Sequence, residues 1–358
     1  MNGRLRVLVV EDSPVARELL VHVLGADPRL TVVGTAADGE QAVDAVRRLR
    51  PDVVTMDLHM PRMNGVQATK RIMETQPTPI VVVSGSVEPV EVATAMAAIE
   101  AGALVAVPRP PGPGHPDHRA SAESLRRTVR LMAEVKPVRR WPEERRSRAA
   151  ARAAGPAGAL ARGARVRAVG IGASTGGPPA LRTVLAALGS GLPVPVLVVQ
   201  HMSPGFIEGL ARWLEDATGL PVRVASDGDR LVAGHVYLAP DEREMGVTPE
   251  GRVALTSSAA RPGLRPSVGH LFRSLRDVYG AGVVGVLLTG MGRDGAAELR
   301  ELREAGAVTI AQDQASSVVH GMPGEAIRLD GASHVLPLEE IGPAVRRLAT
   351  ATGPGRQG

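Results

Sequence analysis

The chain has 358 residues, 44% of them hydrophobic and only 2% aromatic, with no cysteine and a formal net charge of +5. That length accommodates two domains with aliphatic cores, and the missing cysteine excludes disulfides, zinc-thiolate sites and thiol nucleophiles. No apolar run reaches the roughly 18 residues of a membrane span, and Glu11 and Asp12 interrupt the opening MNGRLRVLVVEDS too early for a signal peptide, so the expectation is a soluble cytoplasmic protein with no membrane insertion.

The first part alternates regularly. Strand-like apolar runs fall at 5–10, 30–35, 53–56, 80–83 and 103–107, and helix-like stretches at 14–24, 40–49, 65–74, 90–100 and 120–135. Five such repeats predict a parallel sheet covered by helices on both faces, with the site at the carboxyl ends of its strands.

Residues 136–165 then carry nine Lys/Arg against two Asp/Glu, so this one Ala-, Gly- and Pro-rich stretch accounts for the basicity of the whole chain. It reads as a flexible, solvated linker. Without interleaved aromatics or a helix-turn-helix pattern, nucleic acid is not the expected partner.

Past the linker the alternation resumes, with strands expected at 168–171, 196–200, 222–225, 236–239, 283–289, 308–311 and 335–336. Helices are expected at 178–188, 206–217, 268–279, 295–305 and 338–348. MGVTPEGRVALT places a Pro-Glu-Gly turn between β-like runs, which predicts a small antiparallel hairpin.

The chemistry-bearing residues sit at strand ends. Glu11 and Asp12 close the first strand, Asp57 the third and Ser84 the fourth. Three carboxylates at one sheet edge repel one another and make a hard-oxygen site suited to Mg²⁺. A carboxylate beside Mg²⁺ is also a plausible phosphoryl acceptor. VLVVEDS, MDLHMPRMNG and the strand ending in Ser84 resemble the receiver domain of two-component response regulators over about residues 4–135. The resemblance implies Asp57 as phosphoacceptor, Glu11 and Asp12 as Mg²⁺ ligands, and Ser84 as the hydroxyl that meets the phosphoryl group. Two positions depart from the pattern: Arg109 stands where receivers usually carry a lysine, and Ala106 where they carry an aromatic switch residue.

In the second part, AVGIGASTGGPPAL raises two readings. A phosphate-binding loop fails, because no lysine follows Gly177 and the dinucleotide spacing would put its last glycine on Thr175. A nucleophile elbow fits: Gly172-Ala173-Ser174-Thr175-Gly176 satisfies G-x-S-x-G between a strand and a helix, and small neighbours permit a sharp turn. The Thr175 amide at the helix start is a candidate oxyanion donor. His201 follows the next strand, as a general base requires, and Asp294 follows a later one, as its orienter requires.

IGASTGGPPAL, VVQHMSPGF, LLTGMGRDGA and HGMPGEA resemble the catalytic domain of the chemotaxis protein-glutamate methylesterase family, CheB, over about residues 165–350. Ser203 stands where a second proline is common. Together the two resemblances imply a receiver at 1–135, a linker at 136–165, a methylesterase domain at 166–350 and a disordered tail at 351–358. The fold implied is two doubly wound α/β domains, the first flavodoxin-like, the second a Rossmann-like three-layer sandwich with a hairpin. The roles implied are Ser174 as nucleophile, His201 as base, Asp294 as orienter, and backbone amides near Thr175 and Met291 as the oxyanion site, with no cofactor in this half. The activity implied is hydrolysis of glutamate γ-methyl esters on methyl-accepting chemoreceptors, with receptor glutamine deamidation as a further activity of the family. It would be switched on when a chemotaxis histidine kinase phosphorylates Asp57. The alternative is a phosphorylation-responsive binding module of a non-motility pathway with little turnover.

Overall fold

A computed structural model describes residues 3–135, 164–257 and 265–351. The expected linker and tail, apart from residues 164, 165 and 351, lie outside the described residues. Contacts divide the chain into two compact units, Met1–Pro142 and Glu143–Gly358.

The first unit is a five-stranded sheet of β1 (Leu5–Val10), β2 (Leu30–Ala36), β3 (Val53–Met56), β4 (Ile80–Ser84) and β5 (Val105–Pro108), in the order β2-β1-β3-β4-β5. Every pairing in it is parallel. Five helices, α1 (Pro14–Gly25), α2 (Gly39–Leu49), α3 (Gly65–Thr75), α4 (Pro89–Ala101) and α5 (His118–Ala133), connect and cover the strands. The reversal of strand order between β1 and β3 opens a crevice at their carboxyl ends. β3 and β4 are buried along their whole length, which is why both read as continuous apolar runs rather than alternations. Helix starts follow capping chemistry: Ser13 caps α1, Asp38 caps α2, and Asn64 with Gln67 forms a reciprocal capping box on α3.

The second unit holds a seven-stranded sheet of β6 (Ala168–Ala173), β7 (Val196–Gln200), β8 (Val222–Val224), β9 (Val236–Leu238), β12 (Val283–Leu287), β13 (Val308–Gln312) and β14 (His334–Leu336). Its order is β14-β13-β12-β6-β7-β9-β8, parallel throughout. The expected hairpin is present as β10 (Glu244–Val247) and β11 (Val253–Thr256), a separate antiparallel pair. The helices are α6 (Gly177–Leu188), α7 (Ile207–Thr218), α8 (Val268–Tyr279), α9 (Ala296–Glu304), α10 (Met322–Arg328) and α11 (Leu338–Thr350). No described helix is long and apolar enough to cross a membrane.

Three local differences from the sequence reading have physical causes. β6 runs two residues longer than expected, so Gly172 lies inside the strand and does not make the turn. The left-handed turn falls at Gly176, where φ is 78°. Gly170 and Gly172 instead let α8 approach, since a Cβ would lie 2.5 Å from a Leu275 methyl at the first and 2.3 Å from a Val268 methyl at the second. β12 ends at Leu287, earlier than expected, because the Thr289 amide turns to the Gln312 side chain and the Gly290 amide to the Val319 carbonyl. The unexpected α10 is only seven residues long, too short for a periodic signal, and opens on Met322-Pro323.

Candidate active site and acidic cluster

In the second unit, β6 and β7 pair in register through Ala173 and Gln200. Ser174 and His201 are the next residues on each strand, so the ladder itself sets them side by side at the carboxyl edge. The His201 amide donates to the Ala173 carbonyl at 3.0 Å, and the Ser174 amide donates to the Thr289 carbonyl at 3.0 Å. Asp294 arrives from the loop after β12. His201 Nε2 lies 2.9 Å from Asp294 Oδ2, a close ion-pair contact that is off the line of a well-aligned hydrogen bond. The His201 side chain is 6% exposed, so this contact is shielded from water.

The carboxylate of Asp294 is fixed by more than the imidazole. Its Oδ2 accepts the Val268 amide at 2.7 Å and its Oδ1 the Gly269 amide at 3.1 Å. Those amides form the first turn of α8, and the two glycines of β6 let that helix sit close enough to present them. Burial pushes the Asp294 carboxyl up, but His201 and the two amides outweigh it, and the acid ends below its ordinary range. It therefore stays ionised.

The turn that carries Ser174 is pinned almost completely. Its carbonyl accepts from the Gly177 amide at 2.8 Å and from Gln200 Nε2 at 2.9 Å. The next carbonyl, of Thr175, accepts from the Thr289 hydroxyl at 2.9 Å. Thr289 also receives the Val319 amide on its oxygen, and its own amide donates to Gln312 Oε1 at 2.8 Å. By contrast, the amides of Thr175 and Met291 donate to no group among the described residues. Two idle N–H groups beside a partly exposed serine can receive a developing oxyanion. Thr175 precedes the N-cap Gly176, so its amide stands just ahead of α6 rather than inside its first turn.

Sequence reasoning did not single out Gln200, Thr289 or Gln312 as site residues. For the two glutamines the signal was a polar side chain ending a largely apolar strand: VLVVQ and VTIAQ both finish in glutamine.

In the first unit, Glu11, Asp12 and Asp57 each offer an oxygen within 4.8 Å of the others. Glu11 and Asp57 are buried and Asp12 is exposed. Burial, then the charge of Glu11, pushes the Asp57 carboxyl up to about 7, against the Leu58 amide and Arg109. Burial likewise pushes Glu11 up, against the Arg109 guanidinium and the Ser13 amide. This is a cluster short of positive charge, and its donors are all hard oxygens, so the residues fit a divalent cation such as Mg²⁺. Arg109 supplies part of the missing charge: its Nη1 lies 3.3 Å from both oxygens of Glu11. Gly85 leaves room for that arm, since a Cβ there would meet the guanidinium at 2.8 Å.

Ser84 lies at the same edge, with its hydroxyl already engaged. Its hydroxyl donates to the Ser86 carbonyl at 2.6 Å and lies 3.2 Å from Glu91 Oε2. The other Glu91 oxygen is 2.7 Å from His59 Nε2. Glu91 and His59 were not anticipated from sequence.

Both units match known protein families. Residues 7–114 match the response regulator receiver domain and residues 169–345 the CheB methylesterase family. The protein-glutamate methylesterase/protein-glutamine glutaminase of Nitrosospira multiformis is 55% identical over 354 residues, covering 99% of each chain. A protein of the same description from Geobacter metallireducens is 56% identical over 346 residues, covering 96% of this chain and 99% of its own. With the receiver cluster in one unit, the serine-histidine-aspartate edge in the other, and relatives that match from end to end, this chain belongs to the protein-glutamate methylesterase/protein-glutamine glutaminase family.

Proposed function

We propose that the chain hydrolyses glutamyl γ-methyl esters on methyl-accepting chemoreceptors through Ser174, His201 and Asp294, under control of phosphorylation at Asp57. The observation that carries the reading is the convergence of those three residues at one sheet edge beside two undirected amides. Ser174 Oγ attacks the ester carbonyl while His201 takes its proton. The Thr175 and Met291 amides receive the oxyanion. His201 returns the proton to the departing methoxide, which leaves as methanol, and a water activated by the same imidazole cleaves the acyl-enzyme to free glutamate. Asp294, held ionised, orients the ring and stabilises its cationic form. Attack on a side-chain amide by the same steps would release ammonia, which is the glutaminase reaction in the relatives' name.

In the receiver unit, Glu11, Asp12 and Asp57 would hold Mg²⁺, which neutralises charge during phosphoryl transfer when bound. Asp57 takes the phosphoryl group from a histidine kinase of the same pathway, Ser84 turns toward it, and Arg109 stands in for the usual lysine. The receiver is assigned to residues 1–135 and the esterase to 166–350, with the basic stretch between them as a tether.

The test is methanol release from methylated receptor membranes by the full-length protein, with and without Mg²⁺ and a small phosphodonor. Release that disappears in Ser174→Ala supports the esterase. Stimulation by the donor that disappears in Asp57→Ala supports the switch. Release equal in parent and Ser174→Ala overturns the reading in favour of a binding module.

A further inference from the structure

We propose that Gln200 is a positioning residue that holds Ser174 and His201 in one rigid frame; this rests on the esterase reading above. Gln200 is the last residue of β7 and is 3% exposed. Four apolar residues precede it in the strand, so its amide is carried into a layer that an aliphatic side chain could fill. Burying an amide is costly unless both its donors and its acceptor are used.

Both donors are used, and on two particular residues. Nε2 donates to the Ser174 carbonyl at 2.9 Å and to the His201 carbonyl at 2.7 Å. The β6–β7 ladder ends at Ala173 and Gln200. The side chain of Gln200 thus continues the cross-strand connection one residue beyond the sheet, where the serine and histidine leave it. The acceptor is not used: Oε1 is buried with no partner. It occupies the space where a Cβ on residue 177 would stand, at 1.9 Å, so glycine there is what admits it. A leucine or methionine would avoid that unpaired oxygen. What only the amide provides is the pair of bonds to the two main-chain carbonyls. A displacement of about 1 Å between reacting groups can cost on the order of 10²-fold in rate, so the pair of bonds acts on turnover rather than on substrate affinity.

The experiment uses the full-length protein as parent, Gln200→Leu and Gln200→Glu. Competent serines are counted by labelling to completion with a fluorophosphonate, and methanol release from methylated receptor membranes is measured from pH 6 to pH 8. Per labelled serine, Gln200→Leu is expected to lose roughly 10- to 100-fold in kcat with KM changed less than about two-fold. Gln200→Glu is nearly isosteric and covers the case in which the leucine variant does not fold. Ionised, its carboxylate faces two carbonyls with no donor; protonated, it regains one. Its kcat relative to the parent should therefore rise as the pH falls, a trend that a purely structural role would not produce. Values per labelled serine within two-fold of the parent at every pH overturn the inference, whatever happens to yield or melting temperature. A parent whose release is no greater than that of Ser174→Ala overturns both this inference and the esterase reading.

Discussion

Asp294 meets His201 at Nε2, 2.9 Å from Oδ2, and that same oxygen takes the Val268 amide at 2.7 Å. One carboxylate thus serves the imidazole and the start of α8 together. Asp294→Asn keeps an acceptor for the helix but loses the charge that stabilises imidazolium. Its kcat should fall roughly 10³- to 10⁴-fold, while stability changes by about 1 kcal/mol or less. Asp294→Ala leaves both amides unpaired and should in addition lose about 1–3 kcal/mol. Parallel kinetics and urea denaturation separate the two effects. Because the folded carboxyl lies below its ordinary range, its contribution to stability is present above about pH 4 and is lost as the pH falls through the lowered folded value.

The receiver cluster has the opposite sign. With Asp57 raised to about 7, the folded metal-free unit holds a proton that the unfolded chain has released above about pH 4. Stability in EDTA should therefore fall as the pH rises from about 4 to about 7. Asp57→Asn removes the uncompensated charge and should stabilise the unit at pH 8 by roughly 1–2 kcal/mol, after allowance for screening. Mg²⁺ should stabilise the parent and do much less for the variant. Calorimetry of the Mg²⁺-responsive transition checks both, and a parent indifferent to Mg²⁺ counts against the cation site.

The Ser84 hydroxyl is engaged by the Ser86 carbonyl and Glu91. Turning toward a phosphoryl group means giving up those bonds. Glu91→Ala removes one competitor worth about 0.5–1 kcal/mol. Phosphodonor stimulation should then reach half its maximum at roughly two- to five-fold lower donor concentration. Ser84→Ala should blunt the maximum itself. Dose–response curves of methanol release distinguish a shifted midpoint from a lowered ceiling.

Gly290 passes directly behind the serine. A Cβ there would lie 2.4 Å from Met322 Sδ and 2.8 Å from Ser174 Cβ. Met322 can yield, but Ser174 is fixed by its own backbone bonds. Gly290→Ala is expected to cost at least about ten-fold in kcat, with fluorophosphonate labelling slowed in step. Gly292→Ala has open space around it but a φ of 87°, so it should lower stability first and labelling rate little.

The alternation of apolar runs made both sheets legible, because strands buried on two faces have no other way to be written. Ser174, His201 and Asp57 stand out for a related reason, each being a polar residue directly after a strand, whereas Asp294 lies well into the loop after β12. The supporting contacts were not. Gln200, Thr289 and Gln312 each reach a main-chain atom more than twenty residues away, and nothing in a linear pattern says which one a side chain will meet. Gly172 was legible as important but for the wrong cause. Its missing side chain matters to Val268, at the start of the α8 helix packed against it, and not to the turn.

The 1.9 Å encounter between Gln200 Oε1 and a hypothetical Cβ on residue 177 couples the two positions. A side chain at 177 would displace the Gln200 amide, and shortening the glutamine gives up the same bonds to Ser174 and His201. Each single step between alternatives passes through an impaired protein. The two positions are therefore coupled, and a substitution at either one alone is expected to lower activity.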